Sequence, residues 1–551
     1  MTTLHLTKSI SRSPLRRGFR VVLLVLGLFA LSPTARAVDP PPDGGYPGNN
    51  TAEGDNALFN LTSGSNNTAV GFNALFSNTT GGGNTANGVE TLSSNTSGKS
   101  NTATGVDALF NNATGSSNTA TGFFSLFANT TGDNNTANGR EALNNNASGS
   151  NNTASGMNAL FNNTTGNNNT ADGFQALFRN TMGHDNTADG FQALLNNRAG
   201  FSNTATGEAA LFNNRNGSFN TANGFQSLYS NTSGLYNTAI GDQALLGNTT
   251  GSYNAATGYQ ALLGNTLGGY NTGNGFQALF TNTTGNENTA NGRQALFSNT
   301  TGSRNTAIGV EALSRNTTGV ENTAVGFGAL GNTTGTDNIA LGTYAGSNLT
   351  TGNGNIDIGA SGGQGEGNTI RIGTGGQTST FIAGISGATV ANGVGVIVSS
   401  NGQLGTITSS ARFKEAIKPM DKASEAILAL KPVTFRYKKE LDANGIPQFG
   451  LVAEEVEKVN PDLVVRDEDG KVMTVRYEAV NAMLLNEFLK EHRQVKEQKA
   501  GLAEMKSVVS KQEELIAEQQ KQIETLTATV RKVSEQVELR ATAPQIAANE
   551  D

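Results

Sequence analysis

Few residues in this sequence are of types that do chemistry. There is no Cys and no Trp, and the three His residues (His5, His184 and His492) are too scattered to suggest one metal site. Without Cys, disulfide frameworks and thiolate zinc sites are excluded. Acids in the long Asn-, Thr- and Gly-rich part, such as Asp172, Asp189 and Glu208, form no distinctive pair of the kind a glycan-degrading enzyme needs. What remains is Ser409, with Lys414 five residues on and Arg412 between them. A serine hydroxyl is a weak nucleophile and needs a base. A lysine amine, with an ordinary pKa near ~10.4, can be that base around neutrality only when stripped of water. A Ser and a Lys at this spacing occur together by chance in most proteins, so the spacing alone assigns no role. No residue pattern calls for a cofactor.

Most of the chain is built to hold a shape. Of 551 residues, 69 are Gly, 15% are charged and 36% are hydrophobic. Ordinary soluble domains are about 25% charged and about 45–50% apolar, so this balance favours a repetitive fibrous protein over a compact enzyme. The net charge of -7 is mild and predicts no nucleic-acid partner. From Asn50 to beyond Asn322 one pattern, N-T-A-x-G-x-x-A-L-F-x-N-T-T-G-x-x, recurs every 17 residues in seventeen copies without insertion. The fifth residue is always Gly and the ninth always Leu. Helix-hairpin repeats need about 33 residues or more, so the period predicts one coil of a parallel β-solenoid, with two short strands and two turns. The Gly residues at positions five and fifteen suit corners with positive φ. Leu at nine, Ala at three and eight, and the frequent Phe at ten are expected to form interior columns, and Asn and Thr to form axial hydrogen-bonded ladders. By the same reasoning, rings such as Phe72, Phe174 and Tyr259 are expected to be buried column residues, with exposed binding sites as the alternative. At ~4.7 Å per coil the seventeen coils would span on the order of 80 Å.

The N-T-A-x-G core with its following A-L resembles the YadA-like head repeats of trimeric autotransporter adhesins, over about Asn50 to Ile358. That resemblance implies left-handed parallel β-rolls assembled as trimers. The period here is longer than in the best-known heads, and no segment resembles the C-terminal membrane barrel that anchors those adhesins. Many Asn-x-Thr triplets match glycosylation acceptors formally, but they are simply part of the repeat.

The chain begins as exported proteins do. Arg16, Arg17 and Arg20 precede an apolar run from Val21 to Leu31, and Ala35-Arg36-Ala37 is a small-x-small cleavage site. The mature chain would start at Val38 after a cut behind Ala37. No other segment is long and apolar enough for a transmembrane anchor.

At Ser409 the composition shifts to charged residues. A helix capped by Ser410 is expected to run to Ile417, and a second from Lys422 to Leu430. Phe435–Lys438 and Phe449–Val452 alternate as short strands, and Val452–Val459 is helical. From Glu478 onward the chain lacks Pro until Pro544, and apolar residues recur every seven: Phe488, Val495, Leu502, Val509, Ile516, Ile523, Val530 and Val537. Such a stripe specifies a left-handed coiled coil of two or three chains.

Ser409-Ser410-Ala411-Arg412-Phe413-Lys414-Glu415 resembles the opening of the endosialidase-type intramolecular chaperone auto-processing domain, found at the C-termini of phage tailspikes and fibres and of some bacterial surface proteins. Further matches follow in the family's order: Lys431 to Tyr437, Phe449 to Val456, Asn460 to Val464 and Val475 to Tyr477. Ser410 stands where Asp is usual, and Glu454 where Gln is usual. The resemblance implies that this domain drives trimerisation of the fibre before it and then cuts itself off before the motif's first Ser. Carried over, the scissile bond is Thr408–Ser409, Ser409 is the nucleophile, Lys414 the general base and Arg412 a supporting residue. The chain would be a single-turnover autoprotease acting on itself.

The expected fold is mainly β. Its parts are a signal peptide (1–37), a linker (38–49), an elongated parallel β-solenoid or β-roll shaft (50–360), a β-rich neck (361–408), an α+β chaperone domain (409–485), a coiled coil (486–540) and a disordered tail (541–551). The expected function is that of a secreted homotrimeric surface fibre that adheres to a glycan or protein receptor. A prophage tail fibre for host-receptor binding is the alternative, disfavoured by the signal peptide.

Overall fold

A computed structural model describes residues 46–385, 390–399, 401–467 and 469–541. The expected signal peptide with its Ala37–Val38 junction, and the expected tail beyond 541, lie outside them. The chain divides into two compact units, one ending at Phe381 and the other starting at Ile382.

The first unit is a parallel β-solenoid. Twenty three-residue strands, β1 (Thr51–Glu53) to β20 (Ile370–Ile372), pair consecutively and in parallel. The register follows the repeat: Thr170 lies beside Thr187, and Ala171 beside Ala188. Each coil holds one strand, not the expected two. The reason lies in the backbone after the strand. Gly173, Gln175 and Leu177 all have positive φ (130°, 56° and 53°), as their counterparts do in nearly every coil, so no second extended run can form. Pairing between coils nonetheless continues through the turns. The Leu177 N–H donates to the Ala193 carbonyl at 3.0 Å, and the Thr164 N–H to the Thr181 carbonyl at 3.0 Å. A left-handed conformation costs a non-glycine residue about 1–2 kcal/mol. Complete burial of the Leu177 side chain returns about 1.5–3 kcal/mol.

The columns at positions three, eight and nine are as expected: Ala171, Ala176 and Leu177 are fully buried, like their equivalents along the shaft. Position ten is different. Phe161 and Phe178 stack at 5.3 Å but are only half-buried, so this row lies on the flank of the coil and not in its interior. Phe72 and Tyr259, at position six, are 45% and 44% exposed, and Phe174 is partly exposed, so these rings are not column residues either. With Ala and Leu filling the narrow interior, a ring has no room there.

The second glycine position also has another cause than expected. Gly173, at position five, has the corner φ. Gly166, at position fifteen, does not. A Cβ there would lie 2.3 Å from the Gly183 carbonyl oxygen and 2.4 Å from Asn163 Oδ1, so space requires glycine, not φ.

Two columns of fully buried Asn supply the polar half of the core. Asn169 Nδ2 donates to Asn152 Oδ1 at 3.1 Å and to the Gly183 carbonyl at 2.8 Å. Its Oδ1 accepts from the N–H and from Nδ2 of Asn186, both at 3.1 Å. Every hydrogen-bonding capacity of the amide is thereby used. A second column runs through Asn163 and Asn180 at 2.8 Å. The expected Thr ladder is present at position thirteen, where Thr164 Oγ1 donates to the Thr181 carbonyl at 2.8 Å.

Near its C-terminal end the solenoid departs from its period. The step from Thr323 to its partner Ile339 is 16 residues, and that from Ile356 to Ile370 is 14. Here Asp357 takes the place in the core column that Ala holds in most other coils. It is fully buried, and neither carboxylate oxygen has a partner among the described residues. Gly346 beneath it leaves the room: a Cβ there would lie 3.3 Å from Asp357 Oδ2. Burial, reinforced by Glu366 and opposed by Arg371, pushes the Asp357 carboxyl up to about 6. Glu366 is itself held low by its ion pair with Arg371 at 2.7 Å. Because the folded state holds the proton more tightly than an open chain, Asp357 contributes most below pH ~4, and that contribution is lost as pH rises through about 6. Amides of 355–372 are therefore expected to exchange faster at pH 7.5 than at pH 4.5 after correction for intrinsic rates. Asp357→Ala should remove the difference, and a pH-independent profile in the unaltered chain would refute the assignment.

In the second unit, strands β21 (Val396–Val398) and β22 (Leu404–Thr406) form an antiparallel hairpin. A 3-10 turn spans Ala411–Phe413 and a longer 3-10 helix Asp421–Ala429. Strands β23 (Val433–Phe435) and β24 (Gln448–Gly450) pair antiparallel, as do β25 (Val464–Arg466) and β26 (Val472–Val475). Helix α1 is Ala453–Val459, and α2 runs from Tyr477 to Ala541. Val456, Leu463, Val464, Val475 and Met483 make a small core. The helix expected from Ser410 to Ile417 is replaced by the single 3-10 turn, and Ser410 makes no side-chain cap bond. At 65 residues, α2 is about 98 Å long.

Candidate functional site

Ser409 lies in the extended segment between β22 and the 3-10 turn. That turn is closed by the Lys414 N–H, which donates to the Ala411 carbonyl at 3.1 Å. Arg412 meets no carboxylate among the described residues; its guanidinium lies over the Phe413 ring, 4.5 Å from the centroid. Thr408, Ser409, Arg412 and Lys414 are all exposed to solvent, and no hydrogen bond joins Ser409 to Lys414 within the single chain. The turn does not supply the dry setting a neutral lysine requires.

The downstream motifs coincide with the ordered elements. Lys431–Tyr437 contains β23, Phe449–Val456 runs from within β24 into the first half of α1, and Asn460–Val464 forms a 3-10 turn entering β25. In that turn Asn460 Oδ1 accepts from the Asp462 N–H at 2.9 Å. The Tyr477 hydroxyl accepts from the Leu451 N–H at 3.1 Å, tying the last motif to the second. Beside this bond an open apolar groove of about 520 Å³ is lined by Leu430, Val433, Phe449, Leu451, Tyr477 and Leu484. Phe449 is 83% exposed.

A polar cluster was not foreseen from the sequence. Ser424, fully buried, hydrogen-bonds to Glu487, accepts from Asn486 Nδ2 at 2.7 Å and from Lys490 Nζ at 3.3 Å. Lys490 also pairs with Glu487 at 2.7 Å, which together with Ser424 holds the Glu487 carboxyl below its usual range. Lys490 directs its hydrogens at both partners and offers Ser424 no lone pair, so the cluster clamps the 3-10 helix to α2 and is not a second serine–lysine pair.

Along α2 the seven-residue stripe is bare. Phe488, Leu502, Ile516, Ile523, Val530 and Val537 are each more than half exposed. No helix among the described residues is long and apolar enough to cross a membrane.

Residues 409–465 match the family model described as chaperone of endosialidase. The match begins at Ser409, where the sequence resemblance places the domain's first residue. No curated protein matches the chain. The chaperone-of-endosialidase segment and the long β-solenoid fit a structural protein of the tail-fibre type.

Proposed function

We propose that this chain is an exported, homotrimeric surface fibre whose C-terminal domain assembles three copies and then severs itself at Thr408–Ser409. The observation that carries the reading is the family match starting at Ser409. The exposed stripe of α2 and the apolar groove at Phe449 support assembly, since contiguous apolar surface of this kind marks a contact with another chain. Three α2 helices joined in a coiled coil would cover the stripe. Adhesion to a surface partner is the fibre's task, and the signal peptide expected over residues 1–37 supports a location outside the cell.

Packing a second chain against the 411–413 turn would take water from Lys414, and loss of water disfavours a charged ammonium. Its neutral amine then accepts the Ser409 hydroxyl proton while Oγ attacks the Thr408 carbonyl carbon. The Thr408 acyl group passes from the Ser409 nitrogen to Oγ, and the nitrogen takes up a proton. Water then hydrolyses the ester, leaving a Thr408 carboxylate and a free Ser409 N-terminus. Arg412 would steady the oxyanion once its guanidinium leaves the Phe413 ring.

Mass analysis of the secreted full-length product tests this. A shaft running from Val38 to Thr408 and a fragment beginning at Ser409 are expected. Ser409→Ala and Lys414→Ala should each slow the cut by roughly 10²–10⁴-fold. Unchanged cutting in both variants would remove the mechanism, and a shaft retaining residues 1–37 would favour cytosolic assembly instead.

A further inference from the structure

Position seventeen of the coil has a φ near +55 to +60° along most of the shaft, and Asn, Asp, Ser or Gly commonly occupies it. Asn, Asp and Gly tolerate that conformation best. Over four successive coils the position is instead Phe219, Tyr236, Tyr253 and Tyr270, with φ of 60°, 56°, 60° and 59°. Their rings lie 4.7, 5.0 and 4.8 Å apart and within 11° of parallel. Phe201 continues the row edge-on to Phe219 at 5.0 Å. The four rings are 42%, 45%, 47% and 61% exposed, so they are not core. Stacking contributes about 0.5–1.5 kcal/mol per pair, against about 1–2 kcal/mol for each left-handed non-glycine residue. The coil does not need them, as coils with Asn there show.

Two further features mark the same stretch. After the strand of three of these four coils stands a further exposed ring, Phe225, Tyr259 or Phe276, with Asp242 in the remaining coil and Tyr259 stacked on Phe276 at 5.3 Å. From residue 209 to 286 the only charged residues are Arg215 and Asp242. The intervening exposed residues are mainly Thr, Asn and Ser.

We infer that this aromatic row is a binding track for a neutral polysaccharide lying along the shaft. Ring surfaces meet the C–H patches of successive sugars, and the tyrosine hydroxyls and neighbouring Thr and Asn groups meet the sugar hydroxyls. One ring recurs per coil, at a strand spacing of ~4.7–4.9 Å, so an extended chain meets the same chemistry repeatedly. The lack of charge matches a neutral ligand and not an acidic one. The inference names the partner class of the proposed surface fibre, but it depends on neither cleavage nor the trimer.

The test is affinity electrophoresis of the full chain through gels containing dextran, mannan, xylan or hydroxyethyl cellulose, with dextran sulfate as the charged control. At least one neutral polymer should retard the chain. Replacing Phe219, Tyr236, Tyr253 and Tyr270 by Asn, the residue other coils carry, should weaken that retardation at least tenfold without lowering the melting temperature. Tyr253→Asn alone, the milder change, should weaken it measurably. Retardation by dextran sulfate only, by no polymer, or equally in the variants would overturn the inference. So would a fall in the variant's sedimenting mass, which would make the row a contact between copies. Failure of the cleavage reading appears separately, in the masses of the products.

Discussion

Asn169→Asp is expected to split the shaft's cooperative unfolding, although it alters a single atom. The new oxygen would face Asn152 Oδ1 and the Gly183 carbonyl, the two acceptors that Asn169 Nδ2 now satisfies. Each buried acceptor left without a donor costs about 1–3 kcal/mol, and an unpaired buried carboxylate adds several kcal/mol more. A loss of roughly 5 kcal/mol or more at neutral pH follows from these terms. Because a solenoid's stability is a sum over neighbouring coils, the damage should be local, appearing in thermal unfolding as an early transition. Asn167→Asp is the control. Asn167 is exposed and its Oδ1 accepts from the Ser150 N–H, the role that Asp133 already performs for Ser116. It should be close to neutral. Equal melting of the two variants would mean that the Asn column carries no particular share of the shaft's stability.

If three chains assemble as proposed, the double substitution Val509→Glu and Ile516→Glu is expected to leave single chains. Within one chain these side chains are 46% and 61% exposed, so the helix itself loses nothing by the change. Between chains each would bury a side chain contributing about 1.5–3 kcal/mol, and the substitutions set like charges against one another at two successive heptads. Sedimentation of the uncut chain should report the mass of one copy. The same variant should also fail to release the Ser409 fragment, because Lys414 stays exposed when the chain is alone. A three-chain mass with normal release would show that the stripe has another purpose. Single chains that still cut would separate processing from assembly.

The sequence carried the shaft unevenly. Columns of Ala and Leu were legible because nearly every coil repeats them at the same place, and the Asn ladders because an amide can satisfy its own copy one coil away. The single strand per coil was not, since it depends on Leu177 and its counterparts taking a left-handed backbone, which bulky residues rarely adopt. Phe161 and Phe178 were misplaced because hydrophobicity alone does not say whether a narrow interior has room for a ring. Asp357 was not foreseen, because its raised affinity for a proton follows from burial, which composition does not reveal. At the candidate site the motif around Ser409 was legible and its solvent exposure was not. The environment of Lys414 depends on whatever packs against the turn. The Ser424–Glu487 contact joins residues 63 apart and has no local signature.

The changing step at the C-terminal end has a further consequence. Through most of the shaft every coil pairs with its neighbours in the same 17-residue register, so whole units can be duplicated or lost without disturbing either junction. The 16- and 14-residue steps do not share that freedom. Natural variants of this fibre should therefore differ in reach by whole multiples of ~4.7–4.9 Å, gained or lost upstream of Asn338, while the terminal turns remain a constant base.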